Sequence, residues 1–186
     1  MTLAYIDSTN DEILPMPSKG LTLPGAVAYL RQALEDPDLR SLWLAPILDE
    51  SRGAEDWYVA RRYNAPDRSF SVQVFVWPAG SWTKVHDHSS WGALRCAFGS
   101  VVEERYERLD DGSLFEHAKL ERSWRRGWSA GGGISTVLPY NGGIHRVGNP
   151  GDETAVSVHV YGPRMGPADG RDYDPSRDYV CDRWDD

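Results

Sequence analysis

The sequence predicts a mainly β protein, a sandwich or barrel of short strands preceded by two short N-terminal helices. Three observations predict it. Apolar residues recur at helical spacing only before about residue 50. Beyond about residue 55 short runs of β-type residues take over. Between those runs lie Asn64-Ala-Pro-Asp, Trp77-Pro-Ala-Gly, Asp110-Asp-Gly-Ser and Gly131-Gly-Gly, each rich in turn formers. No internal repeat or linker interrupts the pattern, so the 186 residues read as one domain, residues 1–186, large enough to bury a core without disulfides.

In chain order, the helices are expected within residues 22–50. Pro24 suits a first helical turn, with Val27, Leu30 and Leu34 following on one face. A second helix is expected to open at Pro37, run through Leu39, Leu42 and Trp43, and stop near Pro46. Strands are expected at Trp57–Tyr63, Phe70–Trp77, Trp91–Phe98, Val101–Arg108, Leu114–Leu120, Ser135–Leu138 and Thr154–Tyr161. These would build a barrel over residues 55–163. The tail, residues 164–186, is rich in Pro, Gly, Asp and Arg and is expected to lie on the surface as irregular backbone.

Composition narrows the function. Against 28 Asp+Glu stand 20 Lys+Arg, a net charge of −8, which argues against nucleic acid as a partner. No apolar run approaches the roughly 20 residues that span a bilayer. The opening residues lack the basic start and apolar core of a signal peptide. Two cysteines, Cys96 and Cys181, form no disulfide framework and suit a reducing, cytoplasmic setting. A monomer or small homo-oligomer is expected.

The chain has five histidines: His86, His88, His117, His145 and His159. On a strand, His86 and His88 would share a face, about 6–7 Å apart and able to converge on one ion. Alone, such a pair is weak evidence. Its surroundings strengthen it: Gly80 precedes His86 by five intervening residues, and Gly99 closes the next turn. Far downstream, Gly133, Pro139, Gly142, His145 and Asn149 form a second cluster. The arrangement resembles the two motifs of the cupin superfamily, G(x)5HxH(x)3–4E(x)6G and G(x)5PxG(x)2H(x)3N. One residue is inserted between Pro139 and Gly142, and Gly92 stands where the first motif has its glutamate ligand. The resemblance implies a jelly-roll-like cupin barrel and a metal held by His86, His88 and His145.

Three neutral imidazoles would leave a divalent ion its full charge and about three open positions of six. Such a centre favours an anionic substrate ligand, above all a thiolate, because the ion lowers the thiol pKa. Here the chain resembles the cysteine dioxygenase family, including its bacterial 3-mercaptopropionate dioxygenase branch. The matching stretches are Phe70-Ser-Val-Gln-Val-Phe-Val-Trp, His86-Asp-His-Ser-Ser-Trp-Gly, Gly143-Ile-His-Arg-Val-Gly-Asn and Val156-Ser-Val-His-Val-Tyr-Gly-Pro, across about residues 57–163. The resemblance implies Fe(2+) as cofactor and a small thiol and O2 as partners. It also implies a hydrogen-bonding row of Ser157, His159 and Tyr161 that orients the reactants. That row alternates with Val156, Val158 and Val160, so one strand face is apolar and the other polar.

Other positions depart from the family or leave alternatives open. Mammalian members link a cysteine to the catalytic tyrosine, whereas the corresponding position here is Gly92, or Ala93 under a one-residue shift. Cys96 lies about 13 Å further along the strand, so no crosslink is expected and both cysteines read as structural. For the substrate carboxylate the family uses an Arg or Gln on the strand before Phe70, and Arg61 is the candidate here because it shares parity with Val59. Arg62, Arg164 and Arg171 are alternatives. Of Trp77, Trp91, Trp124 and Trp128, only Trp91 is placed near substrate, and His117 is expected to be exposed. The expected activity is oxidation of a small thiol carboxylic acid, cysteine first and 3-mercaptopropionate second, to its sulfinic acid. The alternative is a non-catalytic cupin that binds a metal or small molecule. A cupin isomerase or ring-cleaving dioxygenase would usually keep the glutamate that Gly92 replaces.

Overall fold

A computed structural model describes residues 20–35 and 37–184. Two helices, α1 (Leu23–Glu35) and α2 (Pro37–Glu50), precede eleven strands. These are β1 (Tyr58–Asn64), β2 (Ser71–Trp77), β3 (Val85–His86), β4 (Gly92–Phe98), β5 (Ser100–Arg108), β6 (Leu120–Ser129), β7 (Ser135–Val137), β8 (His145–Gly148), β9 (Ala155–Tyr161), β10 (Gly170–Asp174) and β11 (Tyr179–Arg183). The expected mainly β cupin fold is present, as two sheets rather than one closed barrel. The first sheet runs β1-β2-β9-β4-β7 and the second β11-β10-β3-β8-β5-β6.

Alternation of side chains sorts the first sheet into two faces. Val72, Val74, Val76, Val156, Val158 and Val160 point outward and pack with Leu30, Leu34, Trp43 and Ile47 of the helices. Each such apolar side chain contributes roughly 1.5–3 kcal/mol by leaving water. Phe75, Trp77, Leu94 and Cys96 point inward, toward Val101 and Val147 of the second sheet. The polar row of β9 therefore faces the interior.

Four elements differ from expectation. The second helix does not stop near Pro46 but runs to Glu50, with Pro46 on its exposed side. Burial of Trp43, Leu44 and Ile47 outweighs a proline penalty of about 3 kcal/mol. The expected strand Leu114–Leu120 is absent: residues 114–119 belong to the loop between β5 and β6, with Phe115 91% exposed, and Leu120 is the first residue of β6. His88 lies beyond β3, which is only two residues long. The tail is not irregular, since β10 and β11 form a hairpin that joins the second sheet through Asp172↔His86 and Tyr173↔Val85. Asp174 Oδ1 closes its turn by accepting from the Ser176 amide (3.1 Å) and hydroxyl (2.6 Å). No described helix is long and apolar enough to cross a membrane.

Candidate metal centre

His86 and His145 face each other across the β3–β8 ladder, and His88 reaches in from the segment just after β3. Ring centroids lie 4.7 Å apart for His86–His145, 4.8 Å for His86–His88 and 5.4 Å for His88–His145. One nitrogen from each ring lies within 4.8 Å of the other two, and all three residues are buried. The Nε2 atoms of His88 and His145 are 3.2 Å apart. Adjacent donors on an ion with bonds of about 2.1 Å sit roughly 3.0–3.4 Å apart, so this pair is spaced as two ligands of one ion, with the His86 nitrogen within 4.8 Å of both.

The far side of two rings is already committed. His86 Nδ1 donates to the Lys84 carbonyl at 2.9 Å, and His145 Nδ1 to Glu103 Oε1 at 2.8 Å. Both assignments leave Nε2 unprotonated and aimed at the common point, as carboxylate- and carbonyl-anchored metal histidines require. Burial lowers the pKa of His86 and His88 well below the ordinary value, and the neighbouring imidazoles and Arg183 lower it further. Neutral imidazole is the ligating form. Glu103 therefore orients a ligand and is not itself one. Burial raises its carboxyl pKa, but the hydrogen bonds from His145 and Ser135 and the charge of Arg105 outweigh burial and hold it at about 2. Ser135 Oγ donates to it at 2.6 Å and Trp128 Nε1 at 3.0 Å.

Beside the imidazoles runs a chain of four groups on the inward face of β2 and β9. Trp77 Nε1 donates to Ser157 Oγ at 2.8 Å. Ser157 Oγ is 2.8 Å from His159 Nε2, and His159 Nδ1 is 3.0 Å from the Tyr161 hydroxyl. An indole can only donate. The arrangement that satisfies every member has Ser157 donate to His159 Nε2 and His159 Nδ1–H donate to Tyr161, leaving the phenolic O–H directed onward. Burial lowers His159 to a pKa of about 3 and raises the Tyr161 phenol far above its usual value, so both are neutral at pH 7. The Tyr161 and His88 rings lie 4.8 Å apart. A narrow cleft opens here between Gly92, Val137, Ser135, His145, His159 and Tyr161.

Of the other expected residues, Arg61, Trp91, Arg164 and Arg171 are not brought to this cleft. A β-bulge between Val59 and Arg61 breaks the parity that Arg61 was expected to share with Val59. Arg61 pairs with Val74 on the helix side and grips Glu50 with both terminal nitrogens, at 2.8 and 2.6 Å. Arg62 instead lies across from inward-facing Gln73, 3.4 Å from its Oε1, in line with His159. Trp91 packs with the helix-side core against Gly162, where a Cβ would collide with its indole. Arg164 lies beside Asp169 at 3.3 Å, and Arg171 is held by Asp87. Arg183 reaches the site from β11, with its terminal nitrogen 3.3 Å from His88 Nδ1. His117 is half-buried rather than exposed, its carbonyl accepting from Arg108 at 2.6 Å.

Gly92 sits directly opposite Tyr161, with no sulfur beside the phenol, while Cys96 pairs with Ser157; both cysteines are free. Sequence reasoning missed Trp77, Glu103 and Arg183. Glu103 had a readable signal, because it shares strand parity with the core residue Val101 and so turns a carboxylate inward.

Residues 54–174 match the family described as cysteine dioxygenase type I. Several solved structures are similar in fold. One is a cupin 2 conserved barrel domain protein from Salinispora arenicola CNS-205, at 18% identity over 56% of this chain and 72% of that one, TM-score 0.40. A second, from Thermus thermophilus, has 18% identity over 60% and 88%, TM-score 0.45. A third is a cupin family protein with a double-stranded β-helix fold from Methanocaldococcus jannaschii, with 17% identity over 61% and 85%, TM-score 0.42.

Proposed function

The chain belongs to the cysteine dioxygenase type I family, and from that premise we propose that it is a non-haem iron(II) thiol dioxygenase. Its substrate is a small thiol carboxylic acid, cysteine first and 3-mercaptopropionate second, oxidised to the sulfinic acid with both atoms of O2. The observation that carries this reading is the convergence of three buried imidazoles, with no carboxylate in the group, beside the Ser157–His159–Tyr161 row. Ferrous iron bound there supplies a Lewis acid that ionises the thiol and a redox centre for O2.

The residues of the chain do the rest. His86, His88 and His145 would hold the metal through imidazole nitrogens, and Glu103 would fix the tautomer and tilt of His145. Trp77 starts a one-way chain of donation that ends with the Tyr161 hydroxyl offering its proton to the bound reactants. Because His159 and Tyr161 stay neutral, that donor is in place throughout the physiological pH range. Arg62, on the inward face of β1, presents a guanidinium suited to bidentate contact with the substrate carboxylate. The bulge that turns Arg61 away is what turns Arg62 in.

The test is direct. Protein purified without chelator should carry iron near one per chain. It should consume O2 with cysteine or 3-mercaptopropionate and yield a sulfinate by mass spectrometry, whereas cysteamine, which lacks a carboxylate, should be turned over poorly. His88→Ala should lose iron and turnover together. Undiminished turnover in that variant would sink the assignment.

A further inference from the structure

The C-terminal hairpin meets the imidazole cluster through one carboxylate. Asp87, between His86 and His88, is fully buried, yet its side chain points away from the cluster toward β10. Its Oδ1 accepts the Arg171 backbone amide at 2.7 Å. Its Oδ2 accepts Arg171 Nε at 2.9 Å, the Arg171 terminal nitrogen at 2.6 Å and the Tyr173 hydroxyl at 2.8 Å. The same Arg171 nitrogen donates to Asn141 Oδ1 at 2.8 Å. Asn141 lies in the single 3-10 turn Tyr140–Gly142 that leads into His145, and the Tyr140 amide donates to the His88 carbonyl at 2.8 Å. Gly170 completes the fit: at φ +142° it lies so close to the Asp87 carbonyl that a Cβ would collide with it.

We propose that Arg171 is a positioning residue for the metal, its guanidinium tying the His86-Asp87-His88 segment to the turn that delivers His145. This rests on the metal-centre reading above and extends it to a segment outside the cleft. The guanidinium meets Asp87 with two nitrogens, one of which also reaches Asn141, whereas a lysine ammonium brings a single nitrogen. The His86-Asp87-His88 segment is not held in place by long strand pairing, since β3 has two residues and meets β8 at a single pair, His86↔His145, whereas β8 is anchored to β5 on its other side. Hairpin docking and metal binding are therefore coupled, and the coupling is reciprocal.

Anaerobic titration of the full chain with Co(II), read by its visible absorption, tests this alongside hydrogen exchange of residues 170–183. Arg171→Ala should weaken Co(II) binding by about 10–100-fold, the usual cost of losing a group that orients ligands, and should shift the absorption bands. Arg171→Lys should recover only part of the loss. Asn141→Ala, an exposed change that keeps Asp87 paired, should weaken binding less. Ser176→Ala, which loosens only the hairpin turn, should bind normally. Co(II) should slow exchange of residues 170–183 in the parent chain and not in Arg171→Ala. If Arg171→Ala and Asn141→Ala bind Co(II) with parent affinity and spectrum, or hairpin exchange ignores Co(II), the proposal is overturned while the metal centre stands. If the parent chain binds no Co(II), both fall.

Discussion

At Tyr161 the hydroxyl is the last donor of a chain whose other members are each satisfied, so removing its oxygen leaves His159 Nδ1–H without an acceptor and the reactants without a donor. Tyr161→Phe should leave iron content unchanged and lower kcat by about 100-fold, the scale seen when one aimed donor is lost from an active site. Steady-state O2 uptake and metal analysis separate the two effects. The same burial makes the metal-free protein acid-sensitive. His159 is neutral in the fold down to a pKa of about 3 but titrates near 6.5 once unfolded, so the unfolded chain binds the extra proton. Stability is then complete above about pH 6.5 and declines as pH falls toward 3. Glu103 acts in the same direction at lower pH. Its stabilisation is present above the ordinary carboxyl value of 4.5 and is lost as pH falls through about 2. Urea unfolding of chelator-treated protein should show this decline beginning below about pH 6.5, and a midpoint constant from pH 7 to 4 would contradict the buried neutral imidazole.

At the level of elements, the bulge in β1 decides which arginine faces inward, setting Arg62 across from Gln73 and Arg61 across from Val74. Arg62→Ala should remove one charge-assisted contact to the substrate, about 1.5–3 kcal/mol, and raise KM at least about tenfold for carboxylate-bearing thiols but not for cysteamine. Arg61→Ala should leave KM alone and cost at most about 1 kcal/mol, because its half-exposed pair with Glu50 only fastens α2 to β1. The reverse result would restore Arg61 to the site. Parity counting could not see the bulge, since one extra residue flips every side chain after it and leaves no mark in composition. Strands that alternate apolar and polar residues, such as β2 and β9, were legible to within a residue or two, and so was the polar row on β9. β6 was not, because Glu121 through Gly127 are exposed on both faces and show no alternation. The hairpin of β10 and β11 was hidden for a related reason: its Asp and Arg residues read as surface coil, while the groups that hold it, Asp87 and His86, lie more than 80 residues earlier. The three metal-site histidines were legible because their spacing is a motif. The residues that orient them were not, since they depend on strand register that only the folded sheet supplies.

For the whole molecule, the second sheet has its shortest ladder where the three imidazoles meet. β5 and β6 form a long ladder, whereas β3 joins β8 through His86↔His145 alone and joins β10 through two pairs. An ion coordinated by His86, His88 and His145 would tie that seam together from inside, linking the hairpin side of the sheet to the β5–β6 side. A ligand that binds only the folded state stabilises it by about 2.7 kcal/mol at a hundredfold excess over Kd. For a chain of this size that corresponds to a rise in Tm of roughly 5–11 °C. Anaerobic melting with and without Fe(II) should show a rise of that size, growing with metal concentration, and chelation should reverse it. His145→Ala should melt at one temperature whatever the metal, because the seam loses its facing donor. The helix-covered sheet shares no ligand with the ion, so its slowest-exchanging amides, in β2 and β9, should keep their protection in the metal-free protein, while those of β3 and β8 lose it first. Loss of protection spread evenly over both sheets would mean that the ion sits in a framework already rigid without it, and that the single pair His86↔His145 is no weak seam.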